Sequence, residues 1–203
     1  MNKEKYHHGT LKEALIAKGL QLLNKEGYDG FSLRKVAVLC GVSHAAPYKH
    51  FQGKEELIAA IVQEVTESFR VTLVKSLTQS GDQPLVQIRE MGRQYVQFMV
   101  ENPEYLKFLF LNNHFNPIRI EPSGFSHQEN SAFAIFKDCA THYLKTIGAA
   151  AEELVIDIVL LWSTVHGLAV LFANQSLETT ADYRDVVAQT IDHLIQRFSA
   201  PGQ

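Results

Sequence analysis

The chain has 203 residues, 46% of them apolar, and a formal net charge of −3. That length divides naturally into one small and one medium domain and carries enough apolar material for real cores. No Gly-x-Ser-x-Gly elbow, phosphate-loop glycine run, His-Glu-x-x-His helix or paired-carboxylate cleft is present, so enzyme chemistry is excluded and no cofactor or metal is implied. The charge is uneven: residues 1–54 hold nine Lys/Arg against four Asp/Glu, and residues 55–203 hold ten against eighteen. A basic footprint of the kind that phosphates attract is therefore followed by an acidic remainder that a polyanion repels. The two cysteines, Cys40 and Cys139, sit far apart on apolar helix faces, and no secretory signal precedes the first helix. Both features suit a reducing cytoplasm with buried thiols.

Residues 1–9, MNKEKYHHG, are polar, and read either as a disordered start or as a source of phosphate or minor-groove contacts from Lys3, Lys5, Tyr6, His7 and His8. The vicinal histidines lack a third ligand at metal spacing. A first helix is expected over residues 11–25, opened by a Thr10–Glu13 capping box, with Leu11, Leu15, Leu22 and Leu23 on one side and Gly27 at its end. Tyr28 and Phe31 in the following loop read as core. Ser32 caps a second helix whose Leu33, Val36, Ala37 and Cys40 fall at i, i+3, i+4 and i+7. Gly41 stands where a left-handed residue is needed, and only glycine takes that conformation without a side-chain penalty. Ser43 then caps a third helix over residues 44–50, and Phe51 closes the core. Pro47 removes one of that helix's first regular hydrogen bonds, so the helix should be short or locally irregular. Residues 32–51 thus form a helix-turn-helix, whose second helix suits the DNA major groove.

A long fourth helix over residues 54–77 aligns Leu57, Ile61, Val65, Phe69, Leu73 and Leu77, and at about 1.5 Å per residue it spans roughly 36 Å, enough to join two domains. The break at residues 80–84 ends in Pro84, well placed to start a fifth helix that stops at Asn102-Pro103. A short apolar helix follows over residues 104–111. Residues 112–128 contain Pro117, Pro122 and Gly124 and have no period, which marks a functional or mobile loop. Further helices are expected over residues 130–147, 152–174 and 182–198. With no strand or repeat evident, the chain reads as all-α, about nine helices. Residues 154–173 come closest to a membrane span, but Asp157, Ser163, Thr164 and His166 interrupt them, and a helix buried on nearly all sides is the preferred reading.

Residues 8–68, and in particular EGYDGFSLRKVA and GVSHAAPYKHFQGKEEL, resemble the N-terminal DNA-binding domain of the TetR family of transcriptional regulators. The resemblance covers about a third of the chain. It implies that Tyr48 and Lys54 hold phosphates, Lys54 at the positive end of its helix. Arg34 and Lys35 either join them or form a solvated basic face. Base reading falls to Ser43, His44, Ala45, Pro47 and Lys49, with His50 as either a contact or a packed residue and Ser32 as the cap behind them. Double-stranded DNA is the implied partner. The family binds near-palindromic operators as two-fold dimers, with half-sites about one helical turn, ~34 Å, or more apart.

Residues 82–200 carry most of the aromatic side chains and form the expected effector-binding and dimerisation domain. At helical spacing these rings suit a core, and collectively they suit an apolar pocket lined by Phe98, Phe108, Phe115, Phe133, Phe136, Tyr143, Trp162 and His166. Trp162, His166 and Gly167 resemble the Trp-His-Gly signature of one C-terminal subgroup of the family, and His166 is either an effector contact or a buried core histidine. The last two helices are the expected dimer seam, a four-helix bundle through Leu154, Ile158, Leu161, Gly167, Leu168, Leu171, Val187, Ile191, Leu194 and Ile195. The resemblance therefore implies a cytoplasmic, nucleoid-associated repressor released by a small apolar effector. The alternative is a DNA-binding protein of the same fold that acts through protein partners in chromosome or division control.

Overall fold

The computed structural model describes residues 8–111, 118–122, 124–127, 129 and 131–199. Among them run eight α-helices: α1 His8–Gly30, α2 Leu33–Leu39, α3 Lys54–Gln79, α4 Pro84–Glu101, α5 Pro103–Leu106, α6 Ala132–Thr146, α7 Leu154–Ala173 and α8 Tyr183–Ser199. A 3-10 turn occupies Pro47–Lys49, and a π turn occupies Lys107–Leu111. The expected all-helical architecture holds, with one addition. Inside the stretch read as an aperiodic loop, β1 Arg119–Glu121 pairs antiparallel with β2 Gly124–Ser126, Ile120 opposite Phe125. The described residues divide into two compact units, one reaching to Glu67 and including the turn from Lys107, the other formed by Ser68–Leu106 and the described residues after 114.

In the first unit α1 starts at His8, ahead of the Thr10–Glu13 box, and its regular path breaks at Gly27, where φ is +69°. Leu15, Leu22 and Leu23 are buried with Phe31, Leu33, Val36, Ala37 and Phe51, and α3 adds Leu57, Ile61 and Val65. At Gly19 a methyl group would stand 2.8 Å from Ile61 Cδ1, so the missing side chain lets α1 and α3 meet closely.

In the second unit α4 packs against α6, α7 and α8. Met91, Tyr95, Val96 and Met99 of α4 are buried with Phe136, Ala140 and Tyr143 of α6. A Cβ on Gly92 would lie 2.9 Å from Ile191 Cδ1 and 3.2 Å from Val165 Cγ1, so this glycine admits α7 and α8 side chains. Arg89 pairs with Asp192 at 2.9 Å across α4 and α8. Both side chains are about one third exposed, so the pair contributes little.

Helix α7 corrects two expectations. It is long and apolar enough to cross a membrane, with a mean hydropathy of 2.1, yet only 22% of that window is buried. It is thus not enclosed on nearly all sides. The stripe chosen for a dimer seam is also largely the unit's own core: Ile158, Leu161 and Leu168 of α7 and Val187, Ile191 and Ile195 of α8 are buried in the single chain. What α7 leaves open is the line Ile156 at 60% exposure, Leu160 at 47% and Leu171 at 41%, with open space beside Gly167; Leu171 and Gly167 belong to the expected seam, and Ile156 and Leu160 do not. Leu154 and Leu194 are half-buried.

Candidate nucleic-acid interface

The turn between α2 and the Pro47 segment is built as the local chemistry requires. Ser32 Oγ accepts the Lys35 N–H at 3.3 Å, capping α2. At its other end Gly41 takes φ +66°. Its N–H donates to Val38 O at 3.0 Å, and Val42 N–H donates to Ala37 O at 3.0 Å. This paired closure satisfies two of the carbonyls a helix end leaves open.

Beyond it no regular helix forms. Ala46 N–H donates to the Ser43 carbonyl at 2.9 Å, His50 N–H and Phe51 N–H both reach Pro47 O at 2.9 Å, and only Pro47–Lys49 is helical, as a 3-10 turn. The irregularity expected from Pro47 is present, because the ring removes a donor just where the first α-helical bonds would form. Pro47 itself is buried, which corrects its assignment to base reading: it anchors the turn from beneath. Ser43, His44, Ala45 and Lys49 are exposed, and Tyr48 is exposed at 60%. His50 is half-buried.

The basic side chains divide into two groups. Arg34 is exposed. Lys35 is drawn back onto the end of α1, with Nζ 2.6 Å from Glu26 Oε2 and 2.8 Å from Gly30 O. The hydrogen bond from Lys35 holds the Glu26 carboxyl below the usual carboxylate range. The Lys35 charge is therefore paired within the unit, while its side chain stays 52% exposed. Lys54, at the first position of α3, donates to the Tyr28 carbonyl, and its ammonium sits 3.7 Å from the centre of the Tyr28 ring. Tyr28, read from sequence as core, is 46% exposed, whereas Phe31 is buried.

The expected effector residues fall in several settings. Phe115 lies outside the described residues, and Phe108 belongs to the first unit. Phe136 and Tyr143 are fully buried core, and the Tyr143 hydroxyl donates to Ile195 O at 3.3 Å. Phe98 stacks on Phe69 at 5.1 Å and borders a groove of about 360 Å³ whose other walls are polar: Thr72, Lys75, Ser76, Gln79, Gln94, Gln97 and Glu101. The remaining three are joined by a residue not chosen from sequence, Tyr95. Trp162 Nε1–H donates to Tyr95 Oη at 3.3 Å, and Tyr95 Oη lies 3.1 Å from His166 Nδ1. Phe133 packs on Trp162 at 4.9 Å, and Phe125 and His127 pack edge-on against Phe133. Burial pushes the Tyr95 phenol up and the His166 imidazole down, so both stay neutral at pH 7.

The model for tetracyclin repressor-like C-terminal domains matches residues 88–194, and that for bacterial regulatory proteins of the tetR family matches residues 15–61. The chain belongs to the TetR family. As a TetR-family protein it is a DNA-binding transcriptional regulator with a helix-turn-helix, not an enzyme. It is 40% identical over 60 residues to the DNA-binding transcriptional repressor TetR of Mycobacteroides abscessus, covering 30% of this chain and 32% of that one. The chain thus spans about a third of that relative's length. To the uncharacterised HTH-type transcriptional regulator YobS of Bacillus subtilis it is 24% identical over 185 residues, 90% of each chain. A Rhodococcus sp. RHA1 protein of unknown function superposes with a TM-score of 0.72 at 24% identity, over 98% of this chain and 100% of that one. A TetR variant from Acinetobacter baumannii in complex with minocycline superposes at 0.54 with 21% identity, over 97% of this chain and 100% of that one. These structural likenesses are to the fold. Two residues escaped the sequence reading of this TetR-type chain, Tyr28 and Tyr95. A Tyr next to the helix-breaking Gly27 was the available signal for the first.

Proposed function

We propose that this TetR-family regulator is a repressor that binds a near-palindromic operator as a two-fold dimer and leaves it when a small, largely apolar aromatic molecule occupies the C-terminal unit. The observation that carries the DNA-reading part is the turn anchored by buried Pro47, which leaves His44, Ala45, Tyr48 and Lys49 exposed just after a capped α2. In this reading Ala45 meets a thymine methyl, His44 and Lys49 meet base edges or phosphates, and Tyr48, Arg34 and Lys54 hold the backbone.

The dimer is supported by the open apolar line Ile156, Leu160 and Leu171 on a helix that a soluble fold does not leave bare. Trp162, His166 and Gly167 are what supports a Trp-His-Gly subgroup assignment in this reading, and Tyr95, Trp162 and His166 offer polar groups among rings to orient a ligand. Minocycline, bound by the Acinetobacter protein, is a precedent for an aromatic ligand on this fold. Release follows from linkage: a ligand that prefers the conformation with misplaced reading turns lowers DNA affinity by the same factor, typically ~1–3 kcal/mol. The place of action is the cytoplasmic nucleoid.

The test is recovery of genomic fragments on the purified protein. The expected result is a set of promoter-proximal fragments sharing an inverted repeat with half-sites about one helical turn apart, ~34 Å. Fragments scattered along the chromosome without such a repeat refute the repressor reading and favour action through protein partners. Trp162 is the chain's single tryptophan, so its fluorescence reads ligand arrival directly. A compound that quenches it without weakening operator binding refutes the release mechanism.

A further inference from the structure

Lys54 makes its contacts in an uncommon way for a surface cation. Its ammonium lies 3.7 Å from the Tyr28 ring centre and donates to the Tyr28 backbone carbonyl, so one residue supplies both a π face and an acceptor. Among the described residues it forms no ion pair with a carboxylate. The two acids in the first turn of α3 are directed elsewhere: Glu55 Oε1 accepts the Tyr28 hydroxyl at 3.4 Å, and a Glu56 oxygen accepts the Gln52 N–H. Lys35 is the contrast, since its charge is matched by Glu26 at 2.6 Å. Both lysines are held by the end of α1 around Gly27, Lys35 by Glu26 and the Gly30 carbonyl and Lys54 by Tyr28, the first paired with a carboxylate and the second not.

We propose that Tyr28 is a positioning residue for DNA binding: its exposed ring and carbonyl hold the Lys54 ammonium, with no carboxylate paired to it among the described residues, at the positive end of α3 for a phosphate oxygen. This rests on the DNA-reading role proposed above. An ammonium carries three N–H donors, and the Tyr28 carbonyl takes one, leaving donors for the phosphate. A free lysine side chain loses much rotamer freedom on binding, and the ring fixes it beforehand. A ring attracts a cation without cancelling its charge, which a carboxylate partner does.

The experiment is fluorescence anisotropy of a labelled random-sequence DNA duplex over a salt series, on wild type, Tyr28→Leu, Tyr28→Phe, Lys54→Ala and the Tyr28→Leu, Lys54→Ala double variant. A random duplex isolates the phosphate contact from base reading. Tyr28→Leu should weaken binding about 2- to 5-fold, the range of an exposed cation–π contact, with the salt slope unchanged. Lys54→Ala should flatten that slope by about 0.9. Tyr28→Phe, which keeps ring and carbonyl, should bind as wild type. In the Lys54→Ala background the Tyr28→Leu change should cost nothing more, because its target is gone.

Equal or tighter binding by Tyr28→Leu overturns the proposal, since the ring would then be idle or would hold Lys54 back. An equal loss in both backgrounds also overturns it, showing a structural role that melting temperatures would register. If wild type fails to bind the duplex even at low salt, the DNA-reading assignment of this turn falls first and the proposal with it.

Discussion

Leu160 and its neighbour Leu161 separate two faces of α7, and replacing each by Ala separates two roles. Leu160 is 47% exposed and Leu161 is 4% exposed. Fully burying a leucine side chain is worth about 1.5–3 kcal/mol, so the open part of Leu160 holds roughly half of that in reserve for a partner. A two-fold seam counts it twice, about 1.4–2.8 kcal/mol in all, or a dimer dissociation constant about 10- to 100-fold weaker in Leu160→Ala. Its folding stability at fixed assembly should fall less than that of Leu161→Ala, because about half of Leu160 is already open in the protomer. Leu161→Ala instead opens a cavity in the core of the second unit and should cost about 2–5 kcal/mol of folding stability. Sedimentation velocity over a dilution series reads the first effect, and denaturant unfolding of the same samples reads the second. If Leu161→Ala dissociates the dimer at concentrations where the protein is folded, while Leu160→Ala leaves it intact, the open line is not the seam.

Four further outcomes follow from the same geometry. Arg34→Ala should lower the slope of log affinity against log salt by about 0.9, whereas Lys35→Ala should leave it unchanged because Glu26 already matches that charge; equal slopes for both variants, read by the same anisotropy assay, would contradict this division. Gly92→Val should destabilise the second unit by about 1–3 kcal/mol, since even a Cβ there meets Ile191 and Val165 atoms at 2.9 and 3.2 Å. Gly167→Ala, with nothing within 4 Å of its Cβ, should raise the melting temperature of the protomer. Burial lowers the His166 pKa, so the unfolded chain takes up a proton near pH 6.5 that the folded one refuses. Stability should be complete above about pH 6.5 and should fall as the pH drops from there towards the lowered folded value. A His166→Gln variant should show a flatter fall in melting temperature on acidification, and an identical fall would assign the effect to other groups.

What could be read without coordinates was whatever a few neighbouring residues decide together. Ser32 and Gly41 bracket α2 through bonds to residues three to five positions away, and Pro84 and Asn102-Pro103 bracket α4, the Asn102 backbone and side-chain N–H groups both donating to Phe98 O. The buried line Leu57, Ile61, Val65, Phe69 and Leu73 followed from its i, i+4 spacing, which holds the five on one face even though Ile58, Val62, Val71 and Val74 off that line are apolar too. Period failed where its premise failed. Tyr28 lies after Gly27, whose positive φ ends the regular path of α1, so counting from the helix could not say which way the ring faces. Pro47 converts an expected α-helix into a 3-10 turn with three residues per turn, and the residues assigned to the reading face rotate accordingly. The hairpin formed in a segment with no alternation to announce it.

Helix α7 is the instructive case, because Ile156, Ile158, Leu160, Leu161, Leu168 and Leu171 give apolar residues on every side and hence no phase. Nothing in such a helix states which face turns inward. That choice belongs to α4, whose Gly92 admits Val165 from α7 and Ile191 from α8 and thereby seats Ile158, Leu161, Val165 and Leu168 inside. A single missing methyl group on one helix thus fixes which apolar line of another remains to be covered, and it does so from seventy residues away in sequence, beyond the reach of any local pattern.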